Sequence, residues 1–295
     1  MTDIPTPAHL LGLIRQFRGG ESEPGKDAIA GLLAKLEGED SAGLLEAAQD
    51  LARIEPASEV AIALLRRRLD HADWDARFSA ACGLGCFEPA FPILHAMLDD
   101  EDAQRRALGA VGTSCSPRAA DAASDLIRLL EDPDAEVRLR AVDAIRSVAD
   151  DAGVRASASV VPRLTALIQD ADERISSRAI AALTAFGPAA APAVPAIASL
   201  LRHPVYWVRW EAIGALADMD AEAVATAVPD LIPLLRSTLA EERSAAAEAL
   251  GCIGPAAAAS QDELARLGGE DPDEMVRAYA LEALARIRNP GTIDE

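Results

Sequence analysis

An all-α fold built from tandem helical hairpins is what this sequence predicts, and three observations carry the prediction. A single segment pattern recurs at steps close to 34 residues, a period that marks stacked repeats. Within each copy the apolar residues fall on one face of a 3.6-residue turn. Prolines and glycines stand where the helices of each copy would start and stop. The chain has 295 residues, 50% of them hydrophobic, which is ample for a large core. Its first residues, MTDIPTPAHLLGLIRQF, lack a basic stretch leading into a continuous apolar run, and no window approaches roughly 18 uninterrupted apolar residues. The expected protein is soluble and cytoplasmic, and its arginine-rich, lysine-poor usage suits a high-GC bacterium.

Taken in order, residues 1–25 are expected to cap the N-terminal end. Thr6 and Pro7 would start a helix carrying Leu10, Leu11, Ile14 and Phe17, before the break R-G-G-E-S-E-P-G. The repeat array is expected over 26–290. A degenerate first copy ends at Leu51. The clearest copies are DPDAEVRLRAVDAIRSV from Asp132 and DPDEMVRAYALEALARI from Asp271. The same frame fits HADWDARFSAACGLGCF from His71, DADERISSRAIAALTAF from Asp170, HPVYWVRWEAIGALADM from His203 and STLAEERSAAAEALGCI from Ser237, with DDEDAQRRALGAVG from Asp99 a weaker match. Second helices are expected to end near 54, 87, 114, 149, 186, 219, 253 and 287, with 291–295 a loose tail.

Each copy reads as two helices joined by a short acidic turn. The first helix is the apolar stretch ahead of the turn, as in VVPRLTALIQD, AVPAIASLLRH and AVPDLIPLLRS, where Pro162, Pro195 and Pro229 occupy equivalent places. Proline suits the first helical turn, where its missing N–H would have had no partner. Gly187-Pro188 and Gly254-Pro255 supply stops after the second helix. In the second helix Val137, Ala141, Ala144, Ile145 and Val148 share one arc at 100° per residue, which puts Leu139, Asp143 and Arg146 on the far side. A single pair cannot bury its apolar face, so copies must stack on one another.

Units of the form V-P-x-L-x-x-L-[LI], then D-x-D-x-x-V-R-x-x-A-x-x-A-L, then G-P, make the chain resemble HEAT-repeat proteins of the armadillo-like class. The resemblance implies a right-handed α-solenoid of about eight HEAT-like helix-turn-helix repeats, with the second helices lining a concave face. It also implies a ladder between turn aspartates and the arginine after the valine, with Asp132 and Arg138, and Asp271 and Arg277, as rungs. Three copies depart from that pattern: Ser176 stands opposite Asp170, and His203 and Ser237 replace the aspartate.

The charge balance is strongly acidic, Lys+Arg 28 against Asp+Glu 48 for a formal net charge of -20. Unspecific binding to nucleic acid or an anionic bilayer rests on clustered cations, so neither partner is expected. Many acids gather in the turns, Asp99 to Asp102, Glu131 to Glu136 and Glu270 to Glu274 among them, where they cap the second helices and complement their dipoles. Opposite the buried arc the repeat frame places Phe78, Arg105, Leu139, Ser177, Trp210, Ser244 and Ala278. The next position holds Ser79, Arg106, Arg140, Arg178, Glu211, Ala245 and Tyr279. Arg106, Arg140 and Arg178, bordered by Phe78 and Trp210, are therefore expected to form a cationic stripe suited to an acidic or phosphorylated segment. Trp207 has no equivalent in other copies, and with Tyr206 and Trp210 it makes H-P-V-Y-W-V-R-W the most aromatic window in a chain that is only 3% aromatic. That window is the first place to expect an interface hot spot.

Catalytic readings find little support in the residues. The four histidines, His9, His71, His95 and His203, form no H-E pair, so the metal ligands of the HEAT-repeat hydroxylase that modifies deoxyhypusine are missing. No phosphate loop or nucleophile elbow is present. Cys82, Cys86, Cys115 and Cys252 form no C-x-x-C pair and read as inert small side chains. No metal and no cofactor are expected. The function expected is a non-catalytic scaffold or adaptor that binds a protein segment on its concave face. The alternatives are an acidic inhibitor or immunity-type protein neutralising a basic partner, and an enzyme of the HEAT-like bilin-lyase type.

Overall fold

The computed structural model describes residues 24–38, 43–155 and 158–289, and every regular element among them is a helix. The capping helix expected to carry Leu10 to Phe17, and the tail 291–295, lie outside the described residues. The chain divides into two compact units, Met1–Val148 and Ala149–Glu295.

The first unit runs α1 Pro24–Glu37, α2 Leu44–Ala52, α3 Glu55–Arg68, α4 Trp74–Gly85, α5 Phe91–Met97, α6 Ala103–Ser114, α7 Ala123–Leu129 and α8 Ala135–Ser147. The longer helices α4, α6 and α8 stack in succession, and the shorter α5 and α7 cover them on one side. Leu44, Leu51, Leu65, Leu84, Phe87, Leu94 and Leu108 fill the seam between them. The second unit runs α9 Ala152–Arg155, α10 Val160–Leu167, α11 Glu173–Ala185, α12 Val194–Ser199, α13 Tyr206–Asp218, α14 Ala221–Val224, α15 Val228–Leu231, α16 Ala240–Ile253, α17 Gln261–Glu270 and α18 Glu274–Arg288. Here α11, α13, α16 and α18 stack in order, around Ile175, Leu183, Phe186, Leu216, Leu231, Leu250 and Val276.

Pro162, Pro195 and Pro229 all fall in the first turn of their helices. Additional prolines shorten the first helices of the second unit. Pro192 and Pro233 remove donors the α-helix would need, and the chain runs as 3₁₀ turns over Gly187–Ala193 and Ile232–Arg236. Gly187 and Gly254 take positive φ, 54° and 67°, at the ends of α11 and α16. Only glycine enters that region without strain, so each sets a sharp exit from a second helix.

One expectation fails. Leu139 is only 4% exposed rather than on a solvent face. A second helix inside a stack is covered both by the first helix of its own repeat and by neighbouring second helices, so its buried arc is wider than one stripe.

The turn between the helices follows one plan with interchangeable parts. Its first residue accepts the backbone N–H two residues on: Asp100, Asp132, Asp170 and Asp271 do so through a carboxylate, His71 and His203 through Nδ1, and Ser237 through its hydroxyl. Where the third residue is aspartate, as at Asp73, Asp102, Asp134, Asp172 and Asp273, it caps the second helix.

Candidate functional site

An arginine one turn into most second helices reaches back over this turn. Nη1 of Arg77, Arg106, Arg138, Arg209, Arg243 and Arg277 donates to the carbonyl of the turn's first residue, at 2.7 to 2.9 Å. In Arg106, Arg209 and Arg243 the rest of the guanidinium reaches the following repeat. Arg106 grips Asp132 through two bonds of 2.8 and 2.9 Å, and Arg243 grips Asp271 through two of 2.8 Å. These are paired, charge-assisted contacts with little solvent access. Burial works against ionisation of Asp132, yet Arg106 and the backbone N–H of Asp134 hold its carboxyl below its ordinary value. Arg209 has no turn aspartate ahead of it, because Ser237 stands there. Its Nε donates instead to Glu242, at 2.6 Å, from the first turn of α16. Glu242 is 2% exposed and also accepts the Ser237 hydroxyl at 2.5 Å.

The ladder is interrupted between α11 and α13. Ser176 holds the arginine's place and donates to the Ile168 carbonyl of its own repeat, at 2.5 Å. His203 holds the acceptor's place, so both members of the rung are absent there. The small side chains of Ser176 and Ser177 leave the mouth between the helices unfilled, and a groove of about 890 Å³ opens. Trp207, Trp210 and Val205 line it on the α13 side, with Trp207 71% and Trp210 41% exposed. Tyr206 braces both indoles, its ring centroid 5.0 Å from that of Trp207 and 6.2 Å from that of Trp210. Asp170, Glu173 and Glu211 bring carboxylates to the same walls. Ser177 donates to Glu211 across the groove, and Arg202, the lining cation, is paired with Asp230 at 2.6 Å. No group of His, Cys, Asp and Glu among the described residues is arranged to hold a metal ion. None of their helices is long and apolar enough to cross a membrane.

The family profile described as HEAT repeats matches residues 123–193, 160–251 and 228–295, together more than half of the chain. The chain belongs to the HEAT-repeat family. Among solved structures, an engineered protein aligns with a TM-score of 0.59 at 23% identity, over 97% of this chain and 86% of that chain. Kap121p aligns with a TM-score of 0.66 at 16% identity, over 95% of this chain and 35% of that chain, and it does so equally when bound to Pho4p. At such identities the likeness shows the fold, an α-solenoid of helical repeats. A comparison with curated proteins returned no match.

Within this HEAT array the residues singled out from sequence fall in several places. Asp132 and Arg138 meet through the Asp132 carbonyl, as Asp271 and Arg277 meet through the Asp271 carbonyl; each carboxylate belongs to the arginine one repeat earlier. Arg106 departs from the expected stripe. The caps Asp102 and Asp134 set the true register of the weak copy, two residues away from the register its aliphatic end suggests. In that register Arg106 matches Arg138, and Leu108 takes the stripe position. The Arg106 side chain is 14% exposed and committed to Asp132. Arg105 reaches Asp70 at 2.6 Å. Arg140 pairs with Glu136 and Asp143 while its guanidinium lies 5.2 Å from the Phe78 ring centroid. Arg178 is exposed on α11, and Tyr279 is half-buried on α18. Trp207 and Trp210 share the groove. What sequence reasoning missed was the groove itself, whose signal was present: the departures Ser176 and His203 occupy the two ends of a single rung.

Proposed function

We propose that this HEAT-repeat chain is a non-catalytic protein-binding module whose docking site is the groove between α11 and α13, and that its partner presents an extended segment with basic side chains. The observation that carries this reading is the pair of solvent-facing indoles, Trp207 and Trp210, set at the one interrupted rung among the described junctions of the second unit and ringed by Asp170, Glu173 and Glu211. Large rigid aromatics dominate binding energy where they become buried. An arginine or lysine stem would lie along an indole face with its charge directed to the carboxylates, and the formal net charge of -20 favours encounter with a basic partner. Kap121p, which shares the fold, has been crystallised bound to Pho4p, which supports a protein as the kind of partner such a fold holds.

The test is affinity capture with the wild-type chain and with a Trp207→Ala/Trp210→Ala variant, followed by direct titration of the captured protein. Loss of about 2 kcal/mol or more per tryptophan, some 30-fold in Kd, is expected for hot-spot truncation. Glu173→Lys should weaken the same partner. A partner held equally by all three proteins would place the docking site elsewhere.

A further inference from the structure

Three of the four cysteines converge in the first unit. Cys82 and Cys86 sit one turn apart on α4, and Cys115 is the C-cap of α6. They meet because these two helices touch backbone to backbone. A Cβ placed at Gly112 would lie 2.8 Å from the Ala81 carbonyl oxygen, and one at Gly85 would lie 2.4 Å from the Gly112 carbonyl oxygen and 2.7 Å from Cβ of Cys115. Two glycines therefore allow an approach that no other residue would tolerate. Cys82, three residues before Gly85, projects from the same face of α4, and its thiol lies beside that of Cys115. Cys86 is directed differently: its thiol points back along α4 to the Cys82 carbonyl, 3.7 Å away.

The surroundings divide the pair into two chemical roles. Cys115 is exposed, with the Ser114 hydroxyl 3.9 Å from its sulfur, whereas Cys82 is half-buried. The neighbouring Cys82 thiol, aided by the Ser114 hydroxyl, outweighs burial and draws the Cys115 thiol below its ordinary pKa. The adjoining Cys115 sulfur, together with burial, pushes Cys82 up. The guanidinium of Arg140, held over Phe78 one turn before Cys82, adds positive potential at Cys82. An exposed cysteine of lowered pKa beside a half-buried, protonated one is the arrangement of a peroxide-reactive cysteine and its resolving partner.

We propose that Cys82 and Cys115 are an oxidation site, at which a hydroperoxide converts the pair into a disulfide that staples α4 to α6. The Cys115 thiolate attacks one peroxide oxygen and the O–O bond breaks. Sulfur becomes sulfenic acid, and the departing alkoxide takes a proton from water and leaves as an alcohol, or as water when the oxidant is hydrogen peroxide. Cys82 then gives up its proton and its sulfur attacks that of Cys115. The S–O bond breaks, and hydroxide leaves with the proton as water. Two thiols and one peroxide become one disulfide, one alcohol and one water. A disulfide brings its two sulfurs to about 2.05 Å, and the backbone contact at Gly85 and Gly112 already holds α4 against α6.

The experiment treats the full reduced chain with one equivalent of hydrogen peroxide and maps its peptides without reduction. The expected result is a peptide linked through Cys82 and Cys115, the loss of two free thiols, and their recovery with dithiothreitol. Cys115→Ser should abolish the reaction, and Cys82→Ser should leave Cys115 as a sulfenic acid that dimedone captures. Cys86→Ser should leave the linkage unchanged. A dominant Cys86–Cys115 linkage, disulfide-linked dimers, over-oxidation of Cys115 in the wild-type chain, or thiols that stay fully reduced would each overturn the proposal. Because the wild-type map alone decides between these outcomes, it does not depend on any variant folding.

Discussion

Glu263, at the start of α17, accepts hydrogen bonds from Arg236 at 2.9 Å and from Arg266 at 2.5 and 2.8 Å. These two guanidinium groups pull its carboxyl down to about 2, and Arg243 holds Asp271 below its usual value against the effect of burial. A carboxyl that resists protonation in the folded chain stabilises that chain at any pH above its unfolded pKa, about 4.3 for glutamate. The contribution then disappears as pH falls through the folded value. Urea unfolding at a series of pH values should therefore show stability declining between about pH 4.5 and pH 2, and Glu263→Gln should make that decline shallower. An unchanged slope would mean that Glu263 is as easily protonated folded as unfolded. Leu183 and Leu250 have no exposed surface, and truncating either to alanine is expected to cost about 2 to 5 kcal/mol in denaturant melts. A loss below about 1 kcal/mol would mean that the seam relaxes around the missing atoms. These leucines could be picked out from sequence because burial in a repeat follows the helical period. Arg106 could not, since its role is set by where Asp102 caps the helix, and it meets an arginine in either register, Arg138 in one and Arg140 in the other.

At the scale of the helix, the interrupted rung between α11 and α13 is a relation between two positions one repeat apart. Ser176 alone is an unremarkable helical serine, and His203 alone is a competent turn acceptor. Only when both ends of one contact are replaced does the junction lose its clamp and expose the indoles, which is why the sequence marked Trp207 and Trp210 without revealing the groove. The complementary substitution is therefore informative. Ser176→Arg with His203→Asp should rebuild the contact made by Arg243 and Asp271, because aspartate also keeps the acceptor that Val205 N–H needs. The double variant should gain about 1 kcal/mol of stability, protect the indoles of α13 from iodide quenching, and lose the partner bound at the groove. A double variant with wild-type quenching would show that the opening has another cause. The Cys82–Cys115 contact was hidden for a comparable reason: it depends on two glycines that bring α4 and α6 together, and no spacing within one helix reports that approach.

For the molecule as a whole, a formal net charge of -20 implies self-repulsion in the folded state. Raising ionic strength from about 0.01 M to about 0.15 M shortens the screening length from about 30 to about 8 Å. The rungs lose little from this, because Arg243 and Asp271 are 11% and 4% exposed. Thermal midpoints should consequently rise with added sodium chloride. A fall would mean that exposed pairs such as Arg128 with Asp99 and Arg105 with Asp70 outweigh the repulsion.

The carboxylate that meets Arg209 illustrates what duplication retains. In two other modules the acid is spelled at the turn, as Asp132 or Asp271, whereas here it has moved five letters downstream to Glu242 and a hydroxyl fills the vacated slot. An oxygen still arrives where the preceding module reaches for it. Tandem copies can thus drift apart in their wording while the points at which they touch stay put, and a census of repeats taken by motif will count fewer than one taken by touch.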